Sequence, residues 1–292
     1  MAHPRIGIIG GSGLYDLEGL RRIERVHQDT PFGNPSDAYD IGELEGREIV
    51  FLPRHGRGHR ISPSQLNYRA NIWGMKKLGV EWILSVSAVG SLRKEIKPRD
   101  FVLIDQFIDR SNQGRKTTFF EDGIVAHIAF SHPICEELSR VIYEAGQECG
   151  EGASIHWGGT YLNMEGPAFS TRAESLLYKS WGADVIGMTN MAEARLAREA
   201  EICYATIAMA TDYDSWIEGE IEEMVNVEMI LANLQKNVSR VKKILRQAIL
   251  NVPAVQECAC SRALENAIVT SPDALPEGVK KRLNLIVGKY LK

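Results

Sequence analysis

The sequence predicts an α/β fold, one domain with a central mixed β-sheet flanked by helices. Three observations support this. Short apolar, β-branched runs recur along the chain, well-marked helix starts lie between them, and no linker or internal repeat divides the 292 residues. In order, strands are expected at 5–9, 48–52, 82–87, 101–104, 184–188 and 204–209, each an apolar run bounded by turn residues. Ser62-Pro63-Ser64-Gln65 combines an N-cap, Pro at the first helical position and a capping-box Gln. Thr171 with Glu174, and Asn190 with Glu193, repeat that logic. A long amphipathic helix is expected over 227–250. From about 253 to 292, Pro253, Pro272 and Pro276 mark a looser extension, expected to dock on the body or on a neighbouring subunit.

Composition narrows the class of function. With 44% hydrophobic residues the chain can bury a large core, and a net charge of -4 speaks against nucleic acid or a membrane surface as partner. No apolar run has the length of a membrane span and no signal-peptide core opens the chain, so a cytoplasmic location is expected. Five cysteines are too few and too scattered for a secreted disulfide framework. Cys258 and Cys260 form a C-x-C pair, read first as free thiols, with a strained disulfide as the alternative. Zinc would require two further soft ligands, and the neighbouring sequence supplies none, so no metal is expected.

Several segments place anion donors just beyond strand ends, where open α/β sheets hold ligands. Gly10-Gly11-Ser12-Gly13 offers backbone amides and the Ser12 hydroxyl. It is not a dinucleotide fingerprint, because Asp16 stands where the third Gly would be. Arg54 and His55 open a glycine-punctuated loop that continues through Arg57, His59 and Arg60, and Arg54 offers a planar fork to an oxyanion. His55 and His59 lack the Glu of a zinc-binding helix motif and are not read as metal ligands. Ser87-Ala88 and Thr189 complete a candidate phosphate cradle.

Asp212 and Asp214, one residue apart in extended backbone, point to the same face. Side by side they repel, so one is expected to keep a proton near neutral pH. A donor beside an acceptor matches the N7 and exocyclic amino edge of a 6-aminopurine.

These motifs, with Asn67-Tyr68-Arg69-Ala70-Asn71, Glu165-Gly166-Pro167-Ala168-Phe169 and Met209-Ala210-Thr211-Asp212-Tyr213-Asp214, resemble the purine nucleoside phosphorylase family. The likeness is greatest to its trimeric branch acting on 5′-methylthioadenosine, and it runs from about residue 5 to 250 in conserved motif order. The resemblance implies phosphorolysis of 5′-methylthioadenosine, with inorganic phosphate as co-substrate and no cofactor. It implies phosphate on Ser12, Arg54, His55, Ser87, Ala88 (backbone) and Thr189, with Asp212 as general acid at purine N7. Asp214 and Ser170 would complete the base contacts, Phe169 would pack on the purine and Met188 on the ribose. Val227, Ile230 and Leu231 would surround the methylthio group, with His127 from a neighbouring subunit of a trimer or dimer of trimers. By the same resemblance the C-x-C cysteines can bridge, with Cys135 and Cys203 as a second pair. Gly187 departs from the family Asn, Ala168 from a more polar residue, and the stretch after Trp216 is longer and more acidic. Two other readings stay open: a phosphorylase of 6-oxopurine nucleosides, and a nucleoside-binding module without turnover.

Overall fold

The computed structural model describes residues 5–11, 13, 14, 19–111, 114–149, 154–217 and 227–291. Its strands are β1 Arg5–Gly10, β2 Arg21–Val26, β3 Tyr39–Leu44, β4 Arg47–Pro53, β5 Val80–Ser91, β6 Phe101–Leu103, β7 Gln106–Arg110, β8 Ile155–Trp157, β9 Thr160–Met164, β10 Val185–Gly187 and β11 Cys203–Tyr213. All belong to one mixed sheet, ordered β2-β3-β4-β1-β5-β10-β9-β7, with β11 attached to β5 and leading on to β6 and β8. The helices are α1 Tyr68–Lys77, α2 Glu136–Cys149, α3 Arg172–Ser180, α4 Asn190–Glu199, α5 Val227–Asn251 and α6 Glu277–Val287.

β5 is the hub because its near-continuous apolar run can be covered on both faces. The helices α1 and α4 pack on each other and on β5, while α2 and α5 pack on each other and on β11. One edge of β5 pairs in parallel with β11. The other pairs with β1 as far as Ile9↔Ser85, then antiparallel with β10 from Ile186↔Gly90. Between those two ladders, residues 86–89 have no strand partner on that edge among the described residues. The polypeptide therefore presents main-chain groups at the point where β1 and β4 end.

Six predicted strands correspond to β1, β4, β5, β6, β10 and β11. The others were not foreseen. β2 (RRIERV) is a charged, exposed edge strand that reads as loop, and β3, β7, β8 and β9 are short. Two helix starts are corrected. Ser62-Pro63 begins a single 3-10 turn, with the Ser62 hydroxyl donating to the Gln65 side chain, and α1 starts later, capped by Asn67 accepting from the Ala70 N–H. At α4 the cap position is Thr189, without a side-chain cap, while Asn190 and Glu193 turn inward. The Thr171–Glu174 capping box of α3 is present in full.

The C-terminal stretch lies against the body. Arg47 donates two bonds of 3.0 Å to the Val252 carbonyl, Glu201 accepts from the Leu264 N–H, and Leu275, Val279, Leu283 and Val287 enter the core. Among the described residues no helix is long and apolar enough to cross a membrane.

Candidate active site

The Arg54–His55 loop follows β4, and its backbone is tied to the glycine turn after β1 by the Arg54 N–H donating to the Gly10 carbonyl at 2.9 Å. Gly13 in that turn has φ +95, and a side chain there would strike Val238 of α5. Ser12 lies outside the described residues.

Arg54 corrects the sequence expectation. Its fork faces Glu193 of α4, with Nε–Oε1 at 2.5 Å and Nη2–Oε2 at 3.0 Å, both side chains only 2% exposed. Nη2 also donates to Ser85 and Nη1 to the Val86 carbonyl. Burial lowers the Arg54 pKa, but the Glu193 charge outweighs it and the net shift is upward. Arg54 is thus a buried strut under the unpaired edge of β5, not an open two-pronged donor. Arg57 and Arg60 are also occupied, by Asp37 and Asp40. The loop carries much less free positive charge than its sequence suggests.

His55 is buried, stacked on His59 with ring centroids 4.3 Å apart, and its Nδ1 lies 2.8 Å from the Ile61 carbonyl. A carbonyl only accepts, so in the neutral ring Nδ1 carries the hydrogen and Nε2 is the acceptor. Burial and the Arg54 charge lower its pKa to about 4, so the ring is neutral at pH 7. His55 is therefore suited to receive a proton-bearing phosphate oxygen.

Ser87 and Thr189 converge on Tyr161 of β9. The Thr189 N–H donates to the Tyr161 hydroxyl at 3.5 Å, and the Ser87 hydroxyl lies against the same phenol. Ala88, small and exposed, belongs to the unpaired stretch of β5. Tyr161 also explains the Gly187 departure. A Cβ at residue 187 would lie 2.0 Å from the Tyr161 hydroxyl, so glycine is required beside this tyrosine. Gly187→Asn is expected to destabilise by about 1–3 kcal/mol from overpacking, read by chemical unfolding, and that cost should be smaller when the same substitution is made in a Tyr161→Ala background. Equal stability of Gly187→Asn and the parent protein would refute this account.

Across the site, β11 carries a bulge at Thr211, since Ala210 pairs with Val89 and Asp212 with Gly90. Asp212 Oδ2 and Asp214 Cβ both lie over Gly90, 3.1 and 3.3 Å from where its Cβ would be. Each aspartate is 3% exposed. Asp212 accepts from the Thr211 hydroxyl at 2.6 Å, and its pKa is raised to about 7. Burial is the main cause, and repulsion from Asp214 adds to it. The sequence argument had put repulsion first. Asp214 is also pushed up by burial, opposed by the nearby Ser175 and Ser170 hydroxyls. Among the described residues its Oδ2 is buried without a hydrogen-bond partner. Such an oxygen calls for an N–H from a ligand.

If Asp212 acts as an acid, its active, protonated form prevails below pH 7 and is lost as pH rises through about 7. A falling alkaline limb with that midpoint is therefore expected in kcat/KM. Phosphate ionises in the same range, so the decisive comparison is Asp212→Asn. The part of the limb due to Asp212 should vanish in that variant, and an unchanged profile would contradict the assignment.

The remaining predicted residues are placed with varying closeness. Met188 packs against Gly166, Ser170 is buried behind Asp214, and Phe169 is 43% exposed. Ile230 is half-buried on α5 and Leu231 is 47% exposed, while the Val227 side chain lies outside the description. His127 is exposed, its backbone N–H on the Ala267 carbonyl. The sequence reading missed Arg115, whose nearly buried guanidinium holds the Glu165 carboxylate and the Glu165 and Met188 carbonyls. It fixes the Glu165–Ser170 loop to the Met188-Thr189 corner. Arg115 sits in a segment without periodicity, so nothing in its surroundings singled it out.

The C-x-C cysteines are free thiols, as first read, but they are not alone. Cys135, just before α2, and Cys203, the first residue of β11, meet Cys258 and Cys260, and the four sulfurs lie within 4.8 Å of one another. Sequence neighbours supplied no further soft ligands, but the fold supplies two.

Known proteins resemble this chain over nearly its whole length. A phosphorylase superfamily model matches residues 5–250. The chain is similar to the S-methyl-5′-thioadenosine phosphorylase of Geobacter sulfurreducens, 56% identical over 98% of this chain and 99% of the relative. It is 53% identical to that of Synechocystis sp., over 99% of this chain and 89% of the relative. In structure it is similar to a methylthioadenosine phosphorylase from an antarctic soil metagenomic library, with TM-score 0.91, 44% identity and coverage of 98% and 99%. The Schistosoma mansoni methylthioadenosine phosphorylase in complex with adenine gives TM-score 0.84 and 36% identity, over 90% of this chain and 96% of that one. Matched this fully, and with a mixed sheet that brings the acidic pair of β11 to the unpaired edge of β5, the chain belongs to the phosphorylase superfamily, in the group of the S-methyl-5′-thioadenosine phosphorylases.

Proposed function

We propose that the chain catalyses phosphorolysis of 5′-methylthioadenosine, releasing adenine and 5-methylthioribose-1-phosphate. The observation that carries this is the Asp212–Asp214 pair: an acid with its pKa near 7 beside a buried carboxylate oxygen without a partner. Asp214 accepts from the exocyclic amino group, and Asp212 protonates N7 as the glycosidic bond breaks. That proton neutralises the departing purine, while phosphate stabilises the ribosyl cation and then bonds to C1′. Phosphate sits among the glycine turn, His55, Ser87, the free edge at Ala88 and Thr189, with the Arg54 charge beneath it. His55 Nε2 orients it by accepting its hydrogen. Charge is handled by these groups alone, without a cofactor. A 6-oxopurine would set its O6 against Asp214, acceptor against acceptor, so such nucleosides are poor substrates.

Phe169 covers the base, Met188 the ribose, and Val227, Ile230 and Leu231 the methylthio group. The methylthio contacts distinguish 5′-methylthioadenosine from adenosine by about 1–3 kcal/mol. We place the enzyme in a homotrimer in which His127 reaches a neighbour's site. Exposed Leu176 and Leu177 on α3 and Trp181 just after it, close in sequence to Phe169, support self-association. Light scattering at the mass of one chain would refute it. A cytoplasmic setting suits the five free cysteines.

The test is to incubate protein with 5′-methylthioadenosine, methylthioinosine, adenosine and inosine, with and without phosphate, and to quantify free base. Phosphate-dependent release of adenine, fastest from the methylthio substrate, is expected. Release that ignores phosphate would indicate a hydrolase, and no release a binding module.

A further inference from the structure

The four-cysteine cluster plays no part in the chemistry above. It lies at the start of β11, whereas Asp212 and Asp214 lie at its far end, about 30 Å away at the rise of a strand. We infer that Cys135, Cys203, Cys258 and Cys260 form a structural tetrathiolate site for a divalent soft cation, Zn2+, that clamps the C-terminal stretch to the sheet.

The geometry argues for one point of convergence, not two separate pairs. A tetrahedral zinc site with metal–sulfur bonds of about 2.3 Å has sulfur–sulfur edges of about 3.8 Å. Cys258 Sγ lies 3.8 Å from Cys135 Sγ and 3.1 Å from Cys203 Sγ, and all four sulfurs are mutually within 4.8 Å. Cys258 thus faces both cysteines of the body, while the pairing implied by resemblance would turn it toward Cys260 alone. All four ligands come from the protein, which leaves no open position and marks a structural site.

A donor already faces the cluster: Gln256 Nε2 donates to Cys203 Sγ at 3.2 Å. N–H donors aimed at sulfur are the usual second layer around metal thiolates. Cys258 is only half-buried and gives a cation access, while the other three are buried. Binding would displace one proton from each thiol to solvent, so affinity would fall as pH falls.

The ligands are also far apart in sequence: 123 residues separate Cys135 from Cys258, and 55 separate Cys203 from Cys258. One ion would join the entry to α2, the root of β11 and the 3-10 turn Ala259–Arg262. That turn precedes α6, so the ion would hold the whole terminal stretch.

The test uses the full chain, expressed with zinc and purified under mild reduction without chelator. Elemental analysis should find about one zinc per chain, released stoichiometrically when a mercurial titrates the thiols. Replacement by Co2+ should give a thiolate charge-transfer band in the near ultraviolet and an intense tetrahedral d–d envelope. Cys258→Ser should lower zinc content at least tenfold and remove those bands, and should lower Tm without changing KM for nucleoside or phosphate. Should that variant not fold, the Co2+ spectrum of the unaltered chain decides alone. A reduced protein with four alkylatable thiols that takes up neither metal overturns the inference. So does an intact mass showing two disulfides after the same handling.

Discussion

Replacing Asp212 by Ala is expected to lower kcat/KM for 5′-methylthioadenosine by about 10²–10⁴-fold, the usual contribution of a positioned general acid. The expectation rests on where the side chain sits. Asp212 is almost wholly buried, accepts from Thr211, and has its pKa at about 7, so near neutral pH about half the molecules hold the required proton. A solvated aspartate would hold almost none. Asp212→Asn separates two functions of the same group. The amide can donate to N7 but cannot transfer a proton, so kcat should fall while KM changes little. The 6-position faces Asp214, so Asp214→Asn, whose amide can donate to O6, is the variant expected to raise the ratio of methylthioinosine to methylthioadenosine turnover. An Asp212→Asn variant with unaltered kcat would rule out proton donation by Asp212. Loss of all activity in Asp214→Asn without the change in preference would count against the role of Asp214 in base recognition.

The sequence revealed most where chemistry and local structure coincide. The strand carrying Tyr204–Met209 and the acidic pair after it were readable because the apolar run is continuous and two carboxylates in extended backbone share a face. The glycine turn was readable as small residues at a strand end, whereas Ser87-Ala88, expected just beyond a strand end, lie within β5, which runs on to Ser91. The reading failed where a side chain's partner comes from far along the chain. Arg54 reads as an oxyanion fork until Glu193, 139 residues later, is seen to occupy it. The Asn190–Glu193 spacing reads as a helix cap, yet Asn190 Nδ2 bonds Ser85, Tyr204 and Thr206 inside the core. Gly187 reads as a lost contact until the Tyr161 hydroxyl is found in the same space. The unpaired edge of β5, where the proposed phosphate position lies, follows from β1 ending before β10 begins. Neither strand carries that information in its own residues.

The second large effect concerns Glu193, which touches no substrate. Its carboxylate accepts from Arg54 Nε and Nη2, from Ser85 Oγ and from the Tyr204 hydroxyl, all within the core. Removing one member of a buried pair leaves the other charged and unsolvated, and such deletions cost about 3–5 kcal/mol. Glu193→Ala should therefore destabilise by about that amount in urea unfolding. Glu193→Gln, which keeps the hydrogen-bonding shape but not the charge, should cost less. Arg54 donates to Val86 and Ser85 at the threshold of the free β5 edge, so its displacement should also loosen the cradle. In the Gln variant KM for phosphate should rise several-fold while KM for the nucleoside stays nearly constant, because the base pocket at Asp212 and Asp214 lies about 10 Å further along β5. The double variant Arg54→Met/Glu193→Leu removes both charges and fills the space. It should regain much of the stability lost in Glu193→Ala while leaving phosphate binding weak. That divergence separates the two roles of the pair, because a strut that only held the fold would recover both together. An alanine variant within about 1 kcal/mol of the parent protein would show that Arg54 does not depend on Glu193.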